Sequence, residues 1–182
     1  MRRHPQGIDY MAAEASTNPD PPDHAGHRAL RTALGTFPTG VTIITAAGRD
    51  GAPVGLTVNS FGSVSLDPPL LSWSLRRTSP LLEYFAVGRR CAIHVLRAEQ
   101  EGLARRFATP GVDRFASVAW RADHEGLPIL AGALARFECR TEIIHEVGDH
   151  WLLLARLERH ATEDGLPLLF ADGRFRALQR GD

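Results

Sequence analysis

The sequence predicts a mainly β fold, an antiparallel barrel flanked by a few short helices. Short β-branched or apolar segments follow one another along most of the chain, and turn-forming residues separate them. Only three short stretches place their apolar residues at helical spacing. No Gly-x-Gly-x-x-Gly motif follows a predicted strand, which disfavours a doubly wound parallel sheet with a dinucleotide site. The 182 residues are enough for one domain with a full core.

The first predicted helix covers residues 28–37, where apolar side chains recur every three or four positions. Two β-branched strands follow at 41–46 and 54–58, and the GRDG sequence between them predicts a hairpin turn. A further strand begins at Phe61. The Pro68-Pro69 pair ends it, because proline cannot donate a ladder hydrogen bond.

A strand is predicted at residues 70–75, and a helix at 80–87 that begins with proline, where a missing N–H group costs nothing. A strand at 91–96 leads into an amphipathic helix at 98–108. The remaining predicted strands are short or alternating segments, at residues 118–121, 133–144, 151–157, 166–170 and 174–178.

The composition argues against nucleic acid and membranes as binding partners. Lys plus Arg and Asp plus Glu both number 21, so the formal net charge is zero and binding to nucleic acid by bulk charge is not expected. No apolar run approaches the ~20 residues of a membrane span. Arg2-Arg3 precede no apolar segment, so no signal peptide is predicted and the expected location is the cytoplasm.

The two cysteines, Cys91 and Cys139, each lie beside apolar residues of a predicted strand, and we expect buried thiols. No His-Glu-x-x-His or Cys-x-x-Cys spacing occurs, so no metal site is predicted. Residues 1–27 are rich in proline and lack apolar periodicity, which predicts a flexible N-terminal arm before a domain at 28–182. An arm that wraps a dimer partner is the alternative.

Polar residues interrupt the apolar pattern after the second strand, at Thr57, Asn59 and Ser60. Such groups at the end of a buried strand cost stability unless they are hydrogen-bonded, and a bound polar ligand is one solution. The strand at 70–75 runs into Arg76-Arg77 and hydroxyl residues just before the predicted helix at 80–87. Two cations at a helix N-terminus would form a phosphate-binding site.

These segments together resemble the flavin reductase family, the FMN-binding split barrels that serve as reductase components of two-component flavin-dependent monooxygenases. The matching pieces fall in family order over residues 28–178: FPTGVTIIT, GLTVNSFGSVSLDPPLLSWSL, RRTSPLLEYF, AIHVLRAEQEGLARRFA, DRF, GDHWLLLARL and PLLFADGRFRAL. The resemblance implies an antiparallel split β-barrel, a homodimer and a flavin site near the subunit interface.

The resemblance also implies which residues contact the flavin. Leu81 stands where the family usually has Thr, which removes one expected phosphate hydrogen bond. The implied cofactor-binding residues are Thr39, Thr57, Val58, Asn59, Ser60, Ser74, Leu75, Arg77, Ser79 and Arg114.

His150, in the GDH sequence at a hairpin tip, matches the family position over the flavin, near the nicotinamide. Its implied role is to position the nicotinamide and to steady charge on the reduced flavin. Hydride transfer needs no protein acid or base, so we expect His150→Ala to lower the rate without abolishing it. A metal site formed with His145 has no evident third ligand.

The function that follows from the resemblance is an NAD(P)H:flavin oxidoreductase that reduces FMN or FAD, with NADH or NADPH as co-substrate, for a separate monooxygenase. The residues alone leave a second possibility open, a flavin-binding protein for storage, sensing or transport without reductase activity. A haem-binding split-barrel relative is a third, but no segment matches its usual histidine ligand.

Overall fold

The computed structural model describes residues 24–178, and antiparallel strands make up most of this region. Helix α1 covers His24–Gly35 and helix α2 covers Glu101–Ala108. Three short 3-10 turns lie at Arg49–Gly51, Leu82–Phe85 and Ala98–Gln100. The strands, in chain order, are β1 (Thr39–Gly40), β2 (Thr42–Ala47), β3 (Pro53–Val58), β4 (Gly62–Leu66), β5 (Pro69–Arg76), β6 (Arg90–Val95), β7 (Trp120–Ala122), β8 (Pro128–Leu130), β9 (Ala135–Val147), β10 (His150–Thr162), β11 (Leu168–Ala171) and β12 (Arg174–Ala177).

One seven-stranded antiparallel sheet dominates the fold, in the order β3-β2-β6-β9-β10-β5-β4. Its two edge strands, β3 and β4, are consecutive in the chain, so the sheet must curl to bring them together. The connection at 59–61 is tied to β5, where the Ser74 N–H donates to Ser60 Oγ at 2.9 Å. The curled sheet confirms the predicted antiparallel barrel, and β11 and β12 pair with β1 beside it.

The main core fills the inside of the curled sheet. Trp73 on β5 and Phe85 are fully buried, and their rings meet edge-to-face at 4.9 Å between centroids. Ile44, Ile93 and Leu153 pack around them from three other strands. Full burial of such side chains stabilises the fold by about 1.5–3 kcal/mol each. The strands that reach the candidate site are therefore held by the best-packed part of the molecule.

The two hairpins that were clearest in the sequence are confirmed. β2 and β3 pair with Ile43 opposite Thr57, and the turn between them contains Asp50 at φ 54°. β9 and β10 form a longer hairpin, in which His150 pairs with Val147 at the tip. Gly148 adopts a φ of 58° there, a left-handed conformation that glycine reaches without strain.

The helix predicted at residues 80–87 is wrong, because the structure has only the 3-10 turn Leu82–Phe85. The chain reverses at once after it: the Arg89 N–H donates to Ala86 O at 2.9 Å, and Gly88 lies at a φ of 83°. So short a helix has little stability of its own, and the start of β6 at Arg90 leaves it no room. The phosphate site predicted there therefore lacks the N-terminus of an α-helix, and its contacts with phosphate stay a prediction.

Helix α1 begins four residues before its predicted start and ends before Phe37. Its predicted apolar face is not covered within the described residues, since Leu30 and Leu34 are 56% and 65% exposed. Residues 24–27 of the predicted N-terminal arm are helical, and residues 1–23 lie outside the described part of the chain. Within residues 24–178, no helix is long and apolar enough to cross a membrane.

The two cysteines are buried free thiols, as predicted. Cys91 on β6 lies directly opposite Cys139 on β9. Burial raises the pKa of the Cys91 thiol to about 12, and it raises the pKa of the Cys139 thiol further above its ordinary value. Both groups therefore stay protonated at neutral pH and behave as small apolar side chains.

Candidate functional site

A cavity of about 390 Å³ opens where β3 and β5 end and β10 begins. These three strand ends meet because the sheet curls and because His150 pairs with Arg76 across the β5–β10 ladder. A volume of this size is typical of a small-molecule site. The lining residues are Leu56, Thr57, Val58, Asn59, Ser60, Ser74, Leu75, Arg76, Ser79 and His150.

Several hydroxyl groups of the lining are already used to build the cavity. The Thr57 hydroxyl donates to Ala104 O on α2 at 2.7 Å, and Ser60 Oγ accepts the Ser74 N–H. Ser79 Oγ accepts the Leu81 N–H at 3.3 Å, which closes a local turn. These hydroxyls therefore shape the backbone around the cavity, and each keeps capacity for a further hydrogen bond.

Other polar groups of the cavity remain available to a ligand. Asn59 and Ser60 are exposed, and within residues 24–178 their backbone N–H groups donate to no protein acceptor. The Asn59 carboxamide likewise has no hydrogen bond to any described residue. A rim of free backbone and amide groups can pair the polar edge of a planar heterocycle, with both donors and acceptors in reach. The Arg76 guanidinium adds a cation at the same mouth.

His150 stands at the entrance, with its side chain 38% exposed. Its Nδ1 lies 2.7 Å from Asp149 Oδ1, and this hydrogen bond holds the pKa of the Asp149 carboxyl below its ordinary value. The carboxylate fixes which ring nitrogen faces the turn, so Nε2 is the nitrogen left for other partners.

Three predicted flavin-contact residues lie outside the cavity lining. Arg77 pairs with Glu146 at 2.5 Å and lies over the Trp151 ring. Arg114 donates to Gly55 O at 2.7 Å, and burial lowers the pKa of its guanidinium. Thr39 lies on β1 opposite Phe170. The contacts of these three residues with a flavin stay predictions.

The other eight predicted residues all line the cavity, although they come from separate parts of the chain. The lining also contains Leu56, which the sequence analysis did not single out, and Arg76, which it placed at the phosphate site but not among the cofactor-binding residues. A signal for Arg76 was present in the sequence: side chains two apart on a strand share a face, and Ser74 was expected to face the site. Arg76, not Arg77, has that spacing.

A second cavity, of about 440 Å³, lies beside the β7–β8 hairpin and contains none of the predicted residues. Its Arg136 is paired with Glu138 at 3.0 Å, so that cation is engaged within the fold. Among residues 24–178 no group of three His, Cys, Asp or Glu could hold a metal ion. The β3–β5–β10 cavity is therefore the better candidate site.

The cavity fits the flavin that the sequence analysis predicts. An isoalloxazine ring needs apolar surface for its faces and hydrogen-bonding groups along its pyrimidine edge. Leu56 is half-buried and supplies apolar surface, whereas the side chains of Val58 and Leu75 are buried in the core, so these two residues line the cavity mainly with backbone. The free amide groups at Asn59 and Ser60 supply the edge partners. Arg76 and the Ser79 hydroxyl are suited to a phosphate tail.

Comparison with known proteins also indicates a flavin reductase. The family described as "Flavin reductase like domain" matches residues 34–179 of this chain. The FMN reductase (NADH) SmoA of Agrobacterium fabrum is 45% identical over 159 residues, which are 87% of this chain and 90% of that protein. The reductase component of the flavin-dependent trigonelline monooxygenase of Acinetobacter baylyi is 43% identical over 135 residues. That match includes 74% of this chain but only 44% of the relative, so the chain spans less than half of that relative's length.

A solved structure agrees with the fold. The Streptomyces globisporus NADH:FAD oxidoreductase SgcE6, determined in complex with NAD and FAD fragments, superimposes with a TM-score of 0.80 at 38% identity. The match covers 86% of this chain and 95% of that one. The predicted family and split-barrel fold are confirmed, and this chain belongs to the flavin reductase-like domain family.

Proposed function

We propose that this protein is an NADH-dependent flavin reductase that reduces FMN or FAD and supplies the reduced flavin to a separate monooxygenase. The observation that carries the proposal is the convergence of eight predicted flavin-site residues on one cavity. The relatives support it, since their names describe FMN and FAD reduction with NADH and reductase components of monooxygenases.

The residues of the cavity have distinct roles in this reaction. The backbone at Val58–Ser60 and the Asn59 amide hold the polar edge of the ring, while Arg76 and Ser79 hold the phosphate. His150 lies at the open side and orients the nicotinamide. When bound, the flavin supplies the acceptor for the hydride, so the protein's contribution is binding and orientation, not proton transfer.

The cavity also suits a flavin that leaves after reduction. It is open to solvent, and its polar contacts come largely from backbone groups and short side chains. A reductase that serves a separate monooxygenase must release its reduced flavin, so moderate affinity is an advantage. A cytoplasmic location is part of the proposal, because the cytoplasm supplies the NADH that the reaction consumes.

A homodimer is part of the proposal as well. His150, Leu152 and Leu154 share one face of β10, because they alternate with the buried Leu153. Leu152 pairs with Ser74 of the cavity, and Leu154 pairs with Ile143, which is 41% exposed. An apolar surface thus continues directly from the cavity mouth.

A second copy of the chain is the occupant that suits this surface. Neutral net charge allows close approach of identical subunits, and the uncovered apolar residues of α1 offer further area for the same purpose. A partner on this face would also cover one side of the flavin.

The direct test mixes the purified protein with FMN or FAD and follows oxidation of NADH or NADPH. Turnover with NADH and at least one flavin is the expected result. A protein that binds flavin but ignores both nicotinamides would support the storage or carrier alternative. Absence of turnover with all four combinations would overturn the proposed reaction.

A further inference from the structure

The tip of the β9–β10 hairpin, residues 146–150, carries His150. Among the described residues, the β5–β10 ladder reaches this tip only at its last residue, where His150 pairs with Arg76. Tips of long hairpins fray more readily than their packed bases, because few buried contacts hold them. Glu146 and Val147 are exposed. Contacts beyond this one strand pair are therefore needed to hold the turn that precedes His150 against the cavity wall.

Arg77 makes three such contacts. Its backbone N–H donates to Asp149 O at 3.0 Å, and its Nη1 donates to Gly148 O at 3.4 Å. The same nitrogen lies 2.5 Å from Glu146 Oε1. Arg77 directly follows β5, the strand that forms one wall of the cavity, so these contacts join that wall to the hairpin tip.

The surroundings of Arg77 hold its side chain in this position. Its guanidinium lies over the Trp151 ring, with Cζ 5.9 Å from the ring centroid, an arrangement favourable for a cation–π interaction. On the opposite side of the turn, Asp149 Oδ1 holds His150 Nδ1 at 2.7 Å. Arg77 thus fixes the backbone on which His150 is carried, while Asp149 fixes the ring.

We propose that Arg77, paired with Glu146, is a positioning residue that holds the hairpin tip and keeps His150 oriented toward the nicotinamide. The inference rests on the proposed function, and it gives Arg77 a role other than the phosphate contact expected from the sequence. Exposed ion pairs contribute only about 0–1 kcal/mol to stability, so loss of this pair should change orientation more than folding.

Two substitutions separate the positioning role from a phosphate contact. Glu146→Gln removes the partner of Arg77 but leaves the cation, whereas Arg77→Gln removes the cation itself. A positioning role predicts that both variants lower kcat/KM for NADH about fivefold, and equally with FMN and with riboflavin, which has no phosphate. The dissociation constant of FMN should change less than twofold.

A matched control and a double variant complete the test. Glu83→Gln breaks the exposed Arg49–Glu83 pair, which lies 2.9 Å apart and outside the cavity lining, and it should leave the kinetics unchanged. In a His150→Ala background, Glu146→Gln should cause no further loss, because its effect passes through His150. Arg77→Lys should restore part of the rate by keeping the charge pair.

The outcomes are distinct. If Arg77→Gln weakens FMN but not riboflavin and Glu146→Gln has no effect, Arg77 is a phosphate ligand and the inference is overturned. Unchanged kinetics in both variants, or losses that add fully to His150→Ala, would also overturn it. Failure of the proposed function would show earlier, as absence of turnover by the unaltered protein.

Discussion

His94 should make the protein lose stability in mild acid. The ring is fully buried on β6, its Nδ1 is 3.2 Å from Ile43 O, and its Nε2 accepts the Leu130 N–H at 3.1 Å. Because Nε2 is an acceptor, the proton must lie on Nδ1, which donates to Ile43. The neutral ring therefore joins β2, β6 and the β7–β8 hairpin, and a second proton would face the Leu130 N–H.

The magnitude follows from the pKa. Burial lowers the pKa of His94 from 6.5 to about 4, with a smaller contribution in the same direction from Arg136. Between these values the unfolded chain binds a proton that the folded protein does not, so the free energy of unfolding falls as the pH falls. The expected loss between pH 7.5 and pH 4.5 is about 2–3 kcal/mol.

Urea unfolding at a series of pH values measures this loss. His94→Gln is the informative variant, because a neutral amide can donate to Ile43 and accept from Leu130 but does not titrate in this range. It should be less stable at pH 7.5, and on acidification it should lose about 2–3 kcal/mol less than the unaltered protein. His160→Gln, at an exposed position of β10, is the matched control. Equal pH dependence in the unaltered protein and His94→Gln would refute the reasoning.

Three further outcomes are expected. His150→Ala should lower NADH oxidation about tenfold, or about 1.4 kcal/mol of barrier, in a steady-state assay, and complete loss of turnover would contradict a purely orienting role. Arg90→Ala should destabilise the fold by about 3–5 kcal/mol in urea unfolding, because it removes the nearest cation of the buried Asp123 carboxylate and one of the three cations around Glu138. A loss below about 1 kcal/mol would show that the remaining contacts suffice. Ile143→Asp should disrupt the proposed homodimer and reduce the mass measured by light scattering to that of a monomer, whereas a mass equal to that of the unaltered protein would contradict an interface on this face of β10.

Local patterns explain why most strands could be predicted. The β2–β3 hairpin has β-branched strands and a turn sequence of Gly and Asp, so its pairing follows from neighbouring residues alone. The failure at residues 80–87 has the opposite cause. The proline at the start and the apolar spacing are both typical of a helix. The helix does not form because the chain must turn back at once to begin β6, and this requirement comes from the tertiary fold, not from the local sequence.

The site was harder to predict than the strands. Nothing local shows that Ser60, Ser74 and His150 meet, because their proximity depends on how the sheet curls and on the order of its strands. The family resemblance supplied that convergence. It could not supply the contacts of Arg77, because alternation along β5 places Arg76 at the cavity and leaves its neighbour to bind the hairpin tip.

The most direct test of the central claim is a flavin titration that compares the two cavities. Protein added to FMN should change the flavin fluorescence to saturation. Ser74→Phe, which fills the β3–β5–β10 cavity, should abolish the change, whereas Ala119→Phe, in the cavity beside β7–β8, should preserve it. Unchanged fluorescence with the unaltered protein, or full binding by Ser74→Phe, would contradict the account.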